Sequence, residues 1–179
     1  MKLNPADTDA LFELYQCQRA LKQHIPAIDT LTKLIAHDPE DDTLYVIRGA
    51  NYISIYFKRG DKMYYTKAIH DFTKAISINP NNSEAYGLRG VSSVRFMLET
   101  EKHISRDKPK ALYSQLQDFN AAIKLNSSNA EYYVQRGLVK GFLERIDGAI
   151  EDLEKALELE PQNQRALDGL KFMRTHPNI

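Results

Sequence analysis

Ser77-Ile78-Asn79-Pro80-Asn81-Asn82-Ser83-Glu84-Ala85 is a junction that the chain uses more than once. Near-copies stand at Lys124-Leu125-Asn126-Ser127-Ser128-Asn129-Ala130 and at Glu158-Leu159-Glu160-Pro161-Gln162-Asn163-Gln164-Arg165-Ala166, and the first ten residues, MKLNPADTDA, carry it again. Pro5 to Pro39 is 34 residues, and Ser127 to Pro161 is again 34, with Ser127 in the place of proline. Pro39 to Pro80 is 41 and Pro80 to Ser127 is 47, so a 34-residue unit is interrupted by 7 and then by 13 residues. Self-similarity at such a period signals a stacked repeat architecture.

Each unit holds two helical patterns. The first sets an aromatic four residues before a glycine: Tyr45 and Gly49, Tyr86 and Gly90, Tyr133 and Gly137. A glycine inside a helix costs up to about 1 kcal/mol relative to alanine, so three in register imply a neighbouring helix too close for a side chain. The second pattern is Ala68, Asp71-Phe72, Ala75; then Asp118-Phe119, Ala122; then Ala149, Asp152-Leu153, Ala156. Spacings of 3 and 4 put the apolar members on one helical face. The proline that follows pushes its predecessor out of helical conformation and ends the helix.

A 34-residue helix-turn-helix unit with these aromatic, small and alanine positions and a closing proline resembles the tetratricopeptide repeat, over nearly the whole chain. The resemblance implies an all-α fold, a right-handed α-α superhelix (solenoid) within a single repeat domain, 1–179. Repeats are drawn at about 8–41, 42–82, 83–129 and 130–163, with a C-terminal capping helix at about 164–175. Unit one departs from the pattern, since Tyr15 stands where the glycines stand, so that helix pair is either splayed or uses Tyr15 otherwise. Lys2-Leu3-Asn4-Pro5 aligns with the last turn of a second helix, from which a longer parent repeat protein is expected. The alternative is that Asn4-Pro5 leads directly into the first helix, capped by Asp7 or Thr8.

The two insertions fall between the first and second helices of units two and three and predict two elongated helical hairpins. The first turns at Gly60-Asp61-Lys62 and the second at Ser105 to Pro109, with Pro109 in the first turn of the following helix. Formal charge is zero, yet residues 1–42 hold 4 basic and 8 acidic side chains, 43–124 hold 13 and 7, and 125–179 hold 7 and 9. The basic middle includes Lys58, Arg59, Lys62, Lys102, Arg106 and Lys108 on the hairpins, interleaved with aromatics such as Tyr56. Such interleaving suits a phosphate backbone with stacked bases, a docking edge for an acidic protein, or aromatics that merely pack the hairpins.

First helices line the concave face in this family, which implies a groove of Phe12, Gln16, Val46, Ala50, Ile53, Glu84, Val91, Val94, Val134 and Leu138. Members that hold the acidic tails of heat-shock chaperones use lysine, asparagine and arginine at defined groove places. Those places here hold Phe12, Gln16, Ile47, Glu84 and Leu88 in one register, or Val46, Ala50, Leu88, Glu131 and Gln135 in the other, so neither register supplies a carboxylate clamp. An apolar floor with Asp9, Glu84 and Glu131 on its rim suits an amphipathic helix or extended segment with basic flanks. A similar scaffold serves as a chaperone for secreted bacterial proteins, which the groove permits and the insertions do not support.

Nothing in the sequence assembles a nucleophile, base and oxyanion donors, and the histidines lack metal-ligand spacing, so neither catalysis nor a cofactor is expected. A lone Cys17 excludes an intrachain disulfide and is expected to be a small buried side chain. No stretch approaches the roughly 18 apolar residues of a membrane span, and residues 1–25 lack a signal-peptide layout. The expectation is a soluble chain without membrane insertion, cytoplasmic by default if Met1 is the natural start. It is read as a module that binds a protein or peptide partner in the groove, with the basic hairpins as a second surface. A nucleic-acid-associated adaptor is the alternative, and self-association is left open.

Overall fold

Asparagine and aspartate at the junctions start the helices. In the computed structural model, which describes residues 5–100 and 108–176, Asp41, Asp61, Asn129 and Asn163 each accept a hydrogen bond from a backbone N–H in the first turn that follows. The described elements are all helical: α1 (Pro5–Ala20), α2 (His24–His37), α3 (Asp42–Arg59), α4 (Lys62–Ile78), α5 (Ser83–Thr100), α6 (Lys108–Leu125), α7 (Ala130–Phe142), α8 (Ile146–Leu159) and α9 (Gln164–Thr175). Two compact units result, one ending at Leu88 and the next beginning at Arg89, inside α5.

In the first unit α1 packs on α2, α2 on α3 and α3 on α4. Its core joins Tyr15, Leu31, Leu34, Leu44, Tyr45 and Ala75. In the second unit α6 packs on α7, α7 on α8, and α9 on both α7 and α8. Val94, Met97, Leu112, Leu116, Phe119 and Val139 form its core.

The glycine register marks the closest approach of paired helices. A Cβ on Gly49 would stand 2.7 Å from the Phe72 ring, and one on Gly90 would stand 2.9 Å from Phe119. At Gly137 the nearest atoms, the Ala149 carbonyl oxygen and Leu153 Cγ, would be 3.1 Å away. In unit one Tyr15 is buried in the core instead of yielding to a neighbour, and burial pushes its hydroxyl pKa up against the lowering influence of Arg19.

Two expectations about α1 are corrected. Cys17 is exposed, because two residues turn a helix by about 200° and Tyr15 already faces the core. The helix begins at Pro5, which places Asp7 and Thr8 inside its first turns rather than at its cap.

A second periodic feature binds the helix pairs. Arg48, Arg89 and Arg136 each precede a register glycine, and each grips the aspartate of the facing helix with two parallel hydrogen bonds. The Nε and Nη2 distances are 2.8 and 2.8 Å to Asp71, 3.0 and 2.6 Å to Asp118, and 2.8 and 2.6 Å to Asp152. Such forked pairs combine charge with fixed geometry. Arg48 also donates from Nη1 to Thr32, and Arg136 to Asn120, so one guanidinium ties three helices. Unit one carries Leu14 and Thr30 at the equivalent places.

Turn geometry separates the units with insertions from those without. The short turns after α1 and α7 place Lys22 and Glu144 in the left-handed region, at φ 54° and 58°. Where seven residues are inserted, α3 has 18 residues against 13 in α7, and α4 has 17 against 14 in α8. Gly60, at φ 73°, closes the C-terminus of α3. Pro109 lies in the first turn of α6, and Ser105 to Asp107 lie outside the described residues.

Candidate functional site

Apolar side chains emerge along the first helices of the second unit. Val134, Leu138 and Phe142 follow one another at strides of four on α7, and they pass from fully buried to half-buried to 55% exposed. On α5, Val91 is half-buried, Val94 is buried and Leu98 is 48% exposed. These two faces enclose a cavity of about 450 Å³ lined by Val91, Val94, Leu98, Leu138 and Phe142. Arg95, Glu131, Gln135 and Arg165 form its polar margin. Arg165, from α9, and Gln135 both donate to Glu131, and Arg95 pairs with Glu99, so the margin's charges are internally matched. Leu138 and Phe142 also wall a neighbouring cavity of about 470 Å³, completed by Gly141, Gly169, Phe172 and Met173.

The first unit offers a different surface. Phe12, 43% exposed, sits with Leu34 and Leu44 in a cavity of about 750 Å³. Asp9, Glu13, Asp38 and Asp41 line the same space, with His37 beside them. Asp38 and Asp41 accept backbone N–H bonds from Glu40 and Thr43, and among the described residues no lysine or arginine lines the cavity.

The residues expected in the groove therefore separate by depth. Phe12 and Glu84 are exposed; Gln16, Ala50, Ile53, Val91 and Leu138 are half-buried. Val46 and Val134 lie in the interior, so they support the face from beneath and present no surface of their own. Leu98 and Phe142 hold the exposed positions instead, each one turn beyond a predicted residue, and that continued stride was the available signal.

On the first hairpin Lys58, Arg59 and Lys62 are exposed. Tyr56 is 3% exposed, so it belongs to the packing and not to the surface. Its ring lies 5.4 Å from Phe57 and 5.9 Å from Tyr65, while Tyr52 meets Tyr64 at 6.2 Å. Lys102 and Arg106 lie outside the described residues, and Lys108 opens α6. Among the described residues no group of three or more His, Cys, Asp or Glu could hold a metal ion, and no helix is long and apolar enough to cross a membrane.

A family model described as tetratricopeptide repeat matches residues 54–82 and 130–163. Hsp70-Hsp90 organizing protein 1 of Arabidopsis thaliana is 35% identical over 181 residues, covering 90% of this chain and 29% of that protein. The chain spans under a third of the length of the curated relatives it matches. Among solved structures, MamA from Desulfovibrio magneticus RS-1 superimposes with a TM-score of 0.74 at 21% identity, over 94% of this chain and 84% of that one, a likeness of fold. The first TPR of Spaghetti (RPAP3), solved with the HSP90 peptide SRMEEVD, gives a TM-score of 0.61 at 27% identity, over 77% of this chain and 94% of that one.

Proposed function

The chain belongs to the tetratricopeptide repeat family, and from that premise we propose that it is a non-catalytic interaction module whose first-helix faces bind a segment of a partner protein. The supporting observation is the emergence of Leu98, Leu138 and Phe142 around one cavity, with charges at its margin already paired. Such a face recognises an amphipathic helix or extended strand by burial of apolar anchors. Phe12 with its surrounding carboxylates gives the first unit an affinity for apolar residues flanked by lysine or arginine. Lys58, Arg59 and Lys62 form a second contact surface on the hairpin.

Relatives that hold acidic chaperone peptides use a different margin. The places that would need lysine, asparagine or arginine hold Phe12, Gln16, Ile47, Glu84 and Leu88, or Val46, Ala50, Leu88, Glu131 and Gln135. Neither set neutralises a peptide such as SRMEEVD, so the groove partner is a different sequence. The test is capture of partners by the intact chain, by Leu98→Glu and by Phe142→Glu. A charge at either exposed position leaves circular dichroism unchanged and weakens the groove partner at least about tenfold, about 1.4 kcal/mol. Retention of every partner by both variants would exclude the groove.

A further inference from the structure

The seven-residue insertion leaves a step in the first unit. α1 ends at Ala20, which occupies the repeat position of Ser54, whereas α3 continues to Arg59. The extra five residues rise about 7.5 Å beyond the level at which α1 stops. Under this overhang lies a cavity of about 400 Å³. Lys22 comes from the α1–α2 turn, where its left-handed backbone sets its direction, and Lys58 and Arg59 come from the overhang. Between them stand exposed Ile25, buried Ile55 and Pro26, with Gln23 and His24 as uncharged polar neighbours, the His24 ring held by Asn51 at 2.9 Å.

Among the described residues no carboxylate lines this cleft, and Lys22, Lys58 and Arg59 form no ion pair. Elsewhere in the same chain the arginines at repeat positions are matched to aspartates with two bonds each. Three cations lining one hollow repel one another unless an anion joins them. We propose that the cleft takes an acidic segment of a protein partner, with carboxylates on the three cations and one aliphatic side chain against Ile25. This rests on reading the chain as an interaction module and gives its second surface a ligand class.

The same geometry argues against a nucleic-acid strand. Single strands need aromatic faces on which bases stack. The hairpin's rings are engaged with one another: Tyr56 lies between Phe57 and Tyr65, and Tyr52 lies between Tyr64 and the ammonium of Lys67, which sits 5.6 Å from its ring. Among the described residues no Phe, Tyr or Trp lines the cleft, and its one aromatic ring, that of His24, is half-buried and bonded to Asn51. Lys58 and Arg59 also stand in the last turn of α3, where cations favour the helix end, a role that the test separates from binding.

The test is fluorescence anisotropy of the full chain with a labelled peptide of glutamates around one leucine, beside its lysine counterpart and an oligothymidine of equal charge. The acidic peptide is expected to bind, to weaken as salt rises, and to lose at least about tenfold in Lys58→Glu/Arg59→Glu and in Lys22→Glu. Lys22→Glu lies on a separate element, so a folding defect in the double variant would not hide the answer. Phe142→Glu should leave this affinity unchanged while weakening groove capture, which separates failure here from failure of the groove reading. Absence of binding would overturn the proposal, as would affinity untouched by both charge reversals, including the case where they lower only the melting temperature. Tighter binding of the oligothymidine, lost in the same variants, would reassign the cleft to nucleic acid.

Discussion

Replacing Asp71 by threonine removes both carboxylate oxygens that Arg48 grips and leaves without its counter-ion a guanidinium whose side chain is 15% exposed. The carboxylate is buried, and its hydrogen bonds, more than the nearby charge, push the Arg48 pKa above its ordinary value. Breaking one partner of a buried pair costs about 3–5 kcal/mol. Arg48 keeps its bond to Thr32, the Tyr45 ring beneath it and some access to water, so the lower figure applies, about 3 kcal/mol. At roughly 2–4 °C per kcal/mol for a chain of this size, the melting temperature should fall by about 6–12 °C. Unit one shows how the position works without the ions, since it holds Leu14 and Thr30 there. The double variant Arg48→Leu/Asp71→Thr removes the stranded charge and should cost only about 1 kcal/mol. Urea unfolding followed by far-UV circular dichroism, run as a double-mutant cycle, measures the coupling. A loss below about 0.5 kcal/mol in Asp71→Thr, or a double variant equal to the sum of the singles, would mean that the pair is not coupled.

Local geometry and burial set four further outcomes. Gly49→Ala should destabilise by about 1–2 kcal/mol, because its Cβ meets the buried Phe72 ring at 2.7 Å. Gly137→Ala, with 3.1 Å available and a propensity gain of up to about 1 kcal/mol, should stay near neutral; equal losses in urea unfolding would contradict this. Glu144→Gly relieves a left-handed residue at φ 58° and should raise the melting temperature by the equivalent of up to about 1 kcal/mol, which an unchanged or lowered value would contradict. Burial raises the pKa of Tyr15 and of Tyr52, so their contribution is intact below the unfolded phenol value of about 10 and is lost as pH climbs toward the higher folded values. The unfolding midpoint should therefore drop less steeply above pH about 10 in Tyr15→Phe/Tyr52→Phe than in the natural chain, and parallel curves would disprove the assignment.

The sequence disclosed the fold because its spacing is mechanical. Gly49, Gly90 and Gly137 recur where helices approach most closely, and the asparagines and aspartates of the junctions start the next helix. The Arg48, Arg89 and Arg136 register was equally visible beside those glycines, but apolar periodicity alone gives no reason to pair it with the aspartates. Depth was not legible. Val134 and Phe142 occupy one stripe of α7, and only the packing of the flanking helices decides that one is interior and the other exposed. Tyr56 misled for a related reason: alternation of rings and cations looks alike whether the rings face water or the opposite helix of an elongated hairpin. Cys17 followed the general tendency of free cysteine to be buried, against which the position of Tyr15 two residues away was decisive.

Under the proposed function, partner segments lie on the α5–α7 face of the second unit. Site-specific photocrosslinking tests it most directly, with a photoreactive residue placed at Leu98 or Phe142 and, as the comparison, at exposed Glu151 on α8. A common partner adduct is expected from positions 98 and 142, with none from 151. An adduct from 151 alone, or from none of the three while the partner remains bound, would contradict it.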